Sequence, residues 1–174
     1  TNALMLKNRR IGLSQTGVVQ AFNKFGRREM YQWCDNAYEH VKELDEEYSD
    51  WLCIPRSVRT TSIKPSGTVS LLNGSTPGIH FPEDEYYIRR IRFAKDSQLI
   101  EPLREAGYKI EIDSYSPNTL CVEFPVKEPH FVKGKRDVSM WEQLEIAAQY
   151  QHYWADNSVS ITVTFQPHEA HQIK

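Results

Sequence analysis

Long apolar runs are missing from this chain: none approaches the ~20 residues that span a bilayer, and Thr1-Asn2-Ala3-Leu4-Met5 lacks the basic start and apolar centre of a signal peptide. No membrane partner is expected, and a cytoplasmic setting is. Cysteine is scarce. Cys34, Cys53 and Cys121 are an odd number in unrelated contexts with no C-x-x-C, which predicts reduced, buried thiols in an intracellular protein. Charge of one sign is absent too, since 21 basic and 23 acidic side chains leave a formal net charge of −2. No global field recruits nucleic acid. His168 and His171 stand outside the H-E-x-x-H spacing and read as an exposed tail, so no metal site is expected. There is no internal repeat and no initiator methionine at Thr1, which suggests an excised piece of a longer protein.

What is present belongs to a globular chain. Hydrophobic residues make up 40% and charged residues 25% of 174, spread along the whole length, which excludes disordered and collagenous classes. A chain of this size is one ordinary domain and buries roughly 70% of the surface its unfolded form exposes.

Periodicity divides it. Asn8 to Ser14 reads as a loop into a short helical region punctuated by Gly12, Gly17 and Gly26. From Arg27 to about Ser49, Met30, Trp33, Ala37, Tyr38, Val41, Leu44 and Tyr48 recur at three- and four-residue steps and predict a helix with that stripe buried; its acidic run, Glu43 to Glu47, reads as a solvated face. Val58 to Ile63 predicts a strand. Tyr86 to Phe93 predicts another, its Arg89, Arg90 and Arg92 either paired with acids such as Glu83 and Glu85 or available to phosphate. Leu99 to Ala106 predicts a helix that starts near Glu101 or kinks at Pro102. Tyr108 to Ile112 and Thr119 to Phe124 predict a hairpin. Ser139-Met140-Trp141-Glu142 is a capping box opening a helix to about Ala155, with Trp141, Leu144, Ala148 and Tyr150 to Trp154 on its apolar face. Asp156-Asn157 reads as a turn, and Val159 to Phe165 alternates as a strand should. The order points to an α/β fold with an antiparallel hairpin.

The most informative stretch joins the second predicted element to the third. After Arg59 to Lys64 comes Pro65-Ser66-Gly67-Thr68-Val69-Ser70, then Leu71-Leu72. Pro65 fixes φ, Gly67 lets backbone approach a ligand, and Ser66, Thr68 and Ser70 supply hydroxyls at a strand-to-helix junction whose N–H groups could face an anion. Lys64 adds point charge beside it. One helix cap needs one hydroxyl, and this loop has three within five residues.

In the order Asn8-Arg9-Arg10-Ile11-Gly12, Lys64 to Ser70, Tyr87 to Arg92 and Trp154-Ala155-Asp156-Asn157-Ser158-Val159-Ser160, the chain resembles adenosylcobalamin-dependent (class II) ribonucleotide reductases, in particular the monomeric ribonucleoside-triphosphate branch, from Thr1 to about Pro167. The resemblance implies part of a ten-stranded α/β barrel, residues 1–174 forming a single segment of its later half. It implies that Lys64, Pro65, Ser66, Gly67, Thr68, Val69 and Ser70 hold the substrate's phosphates. By the same resemblance Ser75, Pro77, Gly78 and His80 are candidates to contact adenosylcobalamin. His80 is a candidate cobalt ligand or proton donor, although beside Gly-Ile and Phe-Pro it reads more readily as a packing residue.

Such enzymes reduce the ribose 2′ carbon through a cysteine thiyl radical that cobalt–carbon homolysis initiates, with two further cysteines and a thioredoxin-type reductant supplying electrons. The family's Asn-Pro-Cys-Gly-Glu motif is absent here, and none of the three cysteines matches it. No catalytic residue is therefore expected in this segment, and alone it should be inactive. The rival reading is a non-catalytic module that binds nucleotide or phosphate through the same loop and the Arg89-Arg90-Arg92 segment.

Overall fold

The computed structural model describes residues 2–173. In chain order its elements are helix α1 (Asn2–Lys7), strand β1 (Arg10–Leu13), helices α2 (Val18–Phe25) and α3 (Arg27–Trp51), strand β2 (Arg59–Thr61), the one-turn helix α4 (Val69–Leu72), strand β3 (Tyr86–Ala94), helix α5 (Ile100–Glu105), strands β4 (Ile110–Ile112) and β5 (Thr119–Lys127), and helix α6 (Met140–Tyr153). Short 3₁₀ turns cover Lys135–Asp137 and Pro167–Gln172. The chain forms two compact units, one made of the residues up to 83 with those from 129 on, the other of residues 84–128.

In the first unit β1 and β2 run parallel, joined by the crossover helices α2 and α3, as parallel strands require. Arg10 aligns with Arg59 and Leu13 with Thr61, so β1 carries one residue more than β2 across the pairing. The segment read as a loop from Asn8 to Ser14 thus contains a strand. All four residues of β1 are exposed, leaving no alternation by which to recognise it. The segment 159–165 is not a laddered strand: Ile63 bridges Val159 in parallel, and beyond that Thr162 N donates to His80 Nε2 and Thr164 N to Gln143 Oε1. Past Ser160, whose N–H donates to Ile63 O, those acceptors are side chains because no strand lies beside the segment among the described residues.

The core of this unit brings Val18, Val19 and Phe22 of α2 against Ile63, Ile146 and Tyr150. Each such side chain, fully buried, contributes roughly 1.5–3 kcal/mol. Two helical stripes match expectation in part: Met30, Tyr38 and Val41 of α3, and Tyr150, Tyr153 and Trp154 at the end of α6, pack on the core, and other expected members do not. On α3 the buried residues are Cys34, Asp45 and Ser49, while Trp33 and Tyr48 are 43% and 48% exposed. On α6, Trp141 and Leu144 face outward, and Met140, Gln143, Ile146 and Tyr150 inward. Asp45 also corrects the solvated reading of its acidic run, since it is buried, accepts from Ser57 N and Oγ at 2.7 and 2.6 Å, and pairs with Arg9. Of the capping box expected at Ser139 only the N-cap half forms, Ser139 Oγ accepting from Glu142 N, because the Glu142 carboxylate is taken by Lys133 and Arg27 instead.

The second unit is the antiparallel sheet β3-β5-β4. β3 and β5 pair from Tyr86↔Lys127 to Ala94↔Thr119, and one face buries Ile100, Leu120 and Val122 with Phe93, Leu103, Ile110 and Phe124 packed on them. Helix α5 starts at Ile100, so Pro102 falls in its first turn, where a missing N–H costs nothing. Pro125 lies on β5 beyond the stretch that β4 covers, where that edge has no ladder to break.

Candidate functional site

The approach to the loop is fixed at nearly every backbone group. Thr60 and Thr61, 4% and 0% exposed, turn consecutive N–H groups toward the Asp156 carboxylate: Thr60 N lies 3.1 and 2.9 Å from its two oxygens and Thr61 N 2.9 Å from one. Thr60 Oγ1 donates to the same carboxylate at 3.2 Å. Thr61 Oγ1 gives its proton to Trp154 O at 2.5 Å and accepts from Asp156 N. Asn157 donates from N and Nδ2 to Thr61 O and from Nδ2 to Ile11 O, joining β2 to β1. Trp154 Nε1 donates to Ser62 O, Ser160 N to Ile63 O, and Lys64 N to Ser14 Oγ. Partial burial by itself would raise the Asp156 carboxyl, but the Thr61 and Thr60 hydrogen bonds outweigh it and hold the group below the ordinary carboxylate range.

The loop that follows is differently provisioned. Gly67 N donates to Pro65 O at 2.9 Å and Ser70 N to Ser66 O at 3.1 Å, closing a tight turn. The N–H groups of Ser66, Thr68 and Val69 donate to nothing among the described residues. No hydroxyl caps α4, since Thr68 at its N-cap makes no side-chain cap bond. Ser70 Oγ donates to Ser66 O, so that hydroxyl shapes the loop. Ser66 Oγ is enclosed without a partner. Lys64 and Pro65 are exposed, and a Cβ added at Gly67 would meet no atom within 4 Å.

The neighbouring stretch is tied into the first unit. Ser75 N donates to Ser70 O, and the carbonyls of Thr76 and Gly78 accept from Gly17 N and Val18 N. Gly78 has φ 52°, and a Cβ there would stand 2.8 Å from Lys64 O, so this close crossing needs glycine. Pro77 O lies 3.0 Å from His80 Nδ1, and His80 Nε2 accepts from Thr162 N at 3.0 Å. The imidazole is therefore the neutral Nδ1–H tautomer with both nitrogens engaged. His80 as placed does not fit a cobalt ligand.

Two arginines of β3 find acids within the same unit: Arg90 pairs with Glu111 and Glu123, and Arg92 with Asp113 at 3.1 Å. Those partners are not Glu83 and Glu85. Cys34 and Cys121 are buried and Cys53 is exposed, against the expectation that all three are buried. Burial pushes the Cys34 thiol up, away from an activated thiolate, and Gln15 and Tyr150 surround it. His168 and His171 lie exposed in the last 3₁₀ turn.

The sequence reading missed the role of Asp156 and Asn157, taken as a turn. Their signal was position: two side chains rich in hydrogen-bonding groups directly between a capped helix and the segment that comes to lie beside Ile63.

Comparison with known proteins gives the geometry its context. The chain is 50% identical over 167 residues to a probable adenosylcobalamin-dependent ribonucleoside-triphosphate reductase of Dictyostelium discoideum, and 48% identical over 168 residues to an adenosylcobalamin-dependent ribonucleoside-triphosphate reductase of Euglena gracilis. Each match covers 96% of this chain. A crystal structure of a B-12 dependent (class II) ribonucleotide reductase superposes on 99% of it with a TM-score of 0.84 at 34% identity. The chain is homologous to a segment of class II ribonucleotide reductases. The chain spans only 22% and 23% of those two relatives and 28% of the solved chain. No family model matches it. The α/β architecture with an antiparallel sheet is thus that of part of a class II reductase, and none of the described helices is long and apolar enough to cross a membrane.

Proposed function

We propose that this chain is the phosphate-holding portion of a longer cytoplasmic enzyme that reduces ribonucleoside triphosphates to deoxyribonucleotides with adenosylcobalamin. The observation that carries the reading is identity of about one residue in two to such reductases along 96% of the chain. The loop adds a physical reason of its own, the N–H groups of Ser66, Thr68 and Val69 that meet no acceptor among the described residues. In this role those groups donate to phosphate oxygens, the exposed Thr68 hydroxyl adds a donor, and Lys64 supplies positive charge. Pro65 and the Ser70 hydroxyl hold the loop's shape.

The rest of the reaction lies in other segments. The ribose 2′ oxygen leaves as water, and its two electrons come from a dithiol outside this chain that a thioredoxin-type reductant restores. Cys34 and Cys121, being buried, are not poised for it. The parallel pair β1–β2, with 159–165 beside Ile63, is read as a stretch of the barrel wall whose further strands come from the same enzyme. Cobalamin dependence belongs to that whole enzyme; His80 does not fit as its ligand, and Ser75, Pro77 and Gly78 are left as candidates for packing contacts. The free-standing module is less favoured, because Arg90 and Arg92, which were to give it charge, are paired with acids.

Gly67→Val in the complete enzyme is the test. The side chain fits the free loop, where no atom lies within 4 Å of the added Cβ, but obstructs the phosphates. Substrate affinity is expected to fall at least tenfold, about 1.4 kcal/mol, in equilibrium binding of nucleotide; wild-type affinity would refute the loop assignment.

A further inference from the structure

We infer that Asp156 is a positioning residue for the phosphate loop: by gripping the buried N–H groups of Thr60 and Thr61 it fixes the direction in which the chain leaves β2 and enters the loop at Pro65. The inference rests on the phosphate-loop reading and deepens it.

The geometry is unusual for a strand. Successive N–H groups of a regular strand point to opposite sides, whereas those of Thr60 and Thr61 converge on one carboxylate, opposite the extra residue that β1 carries between Arg10 and Leu13. A carboxylate with several acceptor positions can take both donors at once. Its own placement is secured from the end of α6. Gln151 Nε2 donates to Ala155 O and Asn157 O, and Gln151 Oε1 accepts from Val159 N at 3.1 Å, so the residues on either side of Asp156 are pinned.

Downstream, little freedom remains. Ser62 is held by Leu13 O and Trp154 Nε1, Lys64 N by Ser14 Oγ, and Lys64 O is crowded by Gly78. The Pro65 ring then restricts Lys64 and sets its own φ. A direction fixed at Thr60 and Thr61 is therefore carried to Ser66, where the unpartnered N–H groups begin. Misdirection of such donors by a fraction of an ångström weakens every bond they make to a rigid anion.

Asp156 lines a cleft of about 390 Å³ that it shares with Arg59 of β2, Tyr38 of α3, and His152 and Tyr153 of α6. These are the charged and titratable groups that line the cleft with it.

The experiment uses the whole chain, inorganic tripolyphosphate as probe, and amide NMR. In the wild type, tripolyphosphate shifts the Ser66, Thr68 and Val69 resonances to saturation; no response there removes the phosphate-loop reading and the inference with it. Asp156→Asn keeps the shape but offers an amide N–H₂ where an acceptor is needed, and its affinity is expected to fall about tenfold, the loss typical of supporting partners of a binding group, with the β5 resonances unchanged. Wild-type affinity in that variant overturns the positioning role while leaving the loop reading intact. If Asp156→Asn does not fold, the wild type is titrated without ligand from neutral pH down through the titration of the Asp156 carboxyl, which lies below the ordinary carboxylate range: Ser66, Thr68 and Val69 amides must move with the midpoint of the Asp156 carboxyl carbon. Movement confined to Thr60 and Thr61 overturns the proposal.

Discussion

In residues 84–128 the β3 and β5 backbones pair continuously from Tyr86↔Lys127 to Ala94↔Thr119, whereas β1 and β2 align only at Arg10↔Arg59 and Leu13↔Thr61. The first sheet is a ladder of main-chain bonds. The second leans on side chains far away in sequence, with Asp156 and Asn157 doing for Thr60 and Thr61 what a neighbouring strand would otherwise do. The difference teaches why one sheet pairs along its length and the other does not: antiparallel strands can pair through short connections, while a parallel pair needs a crossover that brings its strands together from a distance.

That contrast can be broken at its strongest point first. Asp156→Ala strands two buried N–H groups, and an orphaned buried donor costs about 1–3 kcal/mol, so roughly 4 kcal/mol is expected from denaturant unfolding. Hydrogen exchange should localise the loss to β2 and the loop and leave the β3–β5 amides protected; uniform loss would erase the distinction between the two regions.

Gly78→Val comes next, with about 3 kcal/mol expected from a left-handed φ combined with a backbone clash. Its Cβ would sit 2.8 Å from Lys64 O, and the readout is exchange of the Lys64 amide. Val122→Ala makes the reverse cut. Val122 is fully buried in the second unit, and truncation should cost about 2 kcal/mol, read in the β5 amides with Thr60 and Thr61 unaffected. If Thr60 and Thr61 also loosened, the two units would be one cooperative body.

Acidification has the smallest effect. The folded Asp156 carboxyl lies below its ordinary value, so its contribution is present above the unfolded pKa of about 3.9 and is lost as pH falls through the folded value. Exchange at Thr60 and Thr61 should accelerate below that point, beyond the intrinsic pH dependence. Amides of the β3–β5 ladder, bonded to carbonyls, set the control.

The same contrast explains what could be read in advance. Local signals were legible: the Ser139 N-cap, the alternation of β3 and the hairpin of β4 and β5 all concern residues near one another in sequence. Where pairing is distant the sequence was ambiguous. β1 is exposed along its length and looked like loop. The apolar stripe of α3 holds at Met30, Tyr38 and Val41 but not at Trp33 and Tyr48, which sit outward while Asp45 and Ser49 sit inward, bound by Ser57 and Arg9, and hydrophobicity cannot foresee a buried carboxylate with partners. Of the candidate site, the loop was visible from its glycine and hydroxyls. The Asp156 clamp was not, because its meaning depends on two threonines nearly a hundred residues earlier.

The most direct measurement is a crystal structure of the complete enzyme with substrate nucleotide bound. The account predicts the N–H groups of Ser66, Thr68 and Val69 within hydrogen-bond distance of phosphate oxygens, with Thr60 and Thr61 still on Asp156. Phosphates bound elsewhere, with those three N–H groups turned to protein carbonyls, would contradict it.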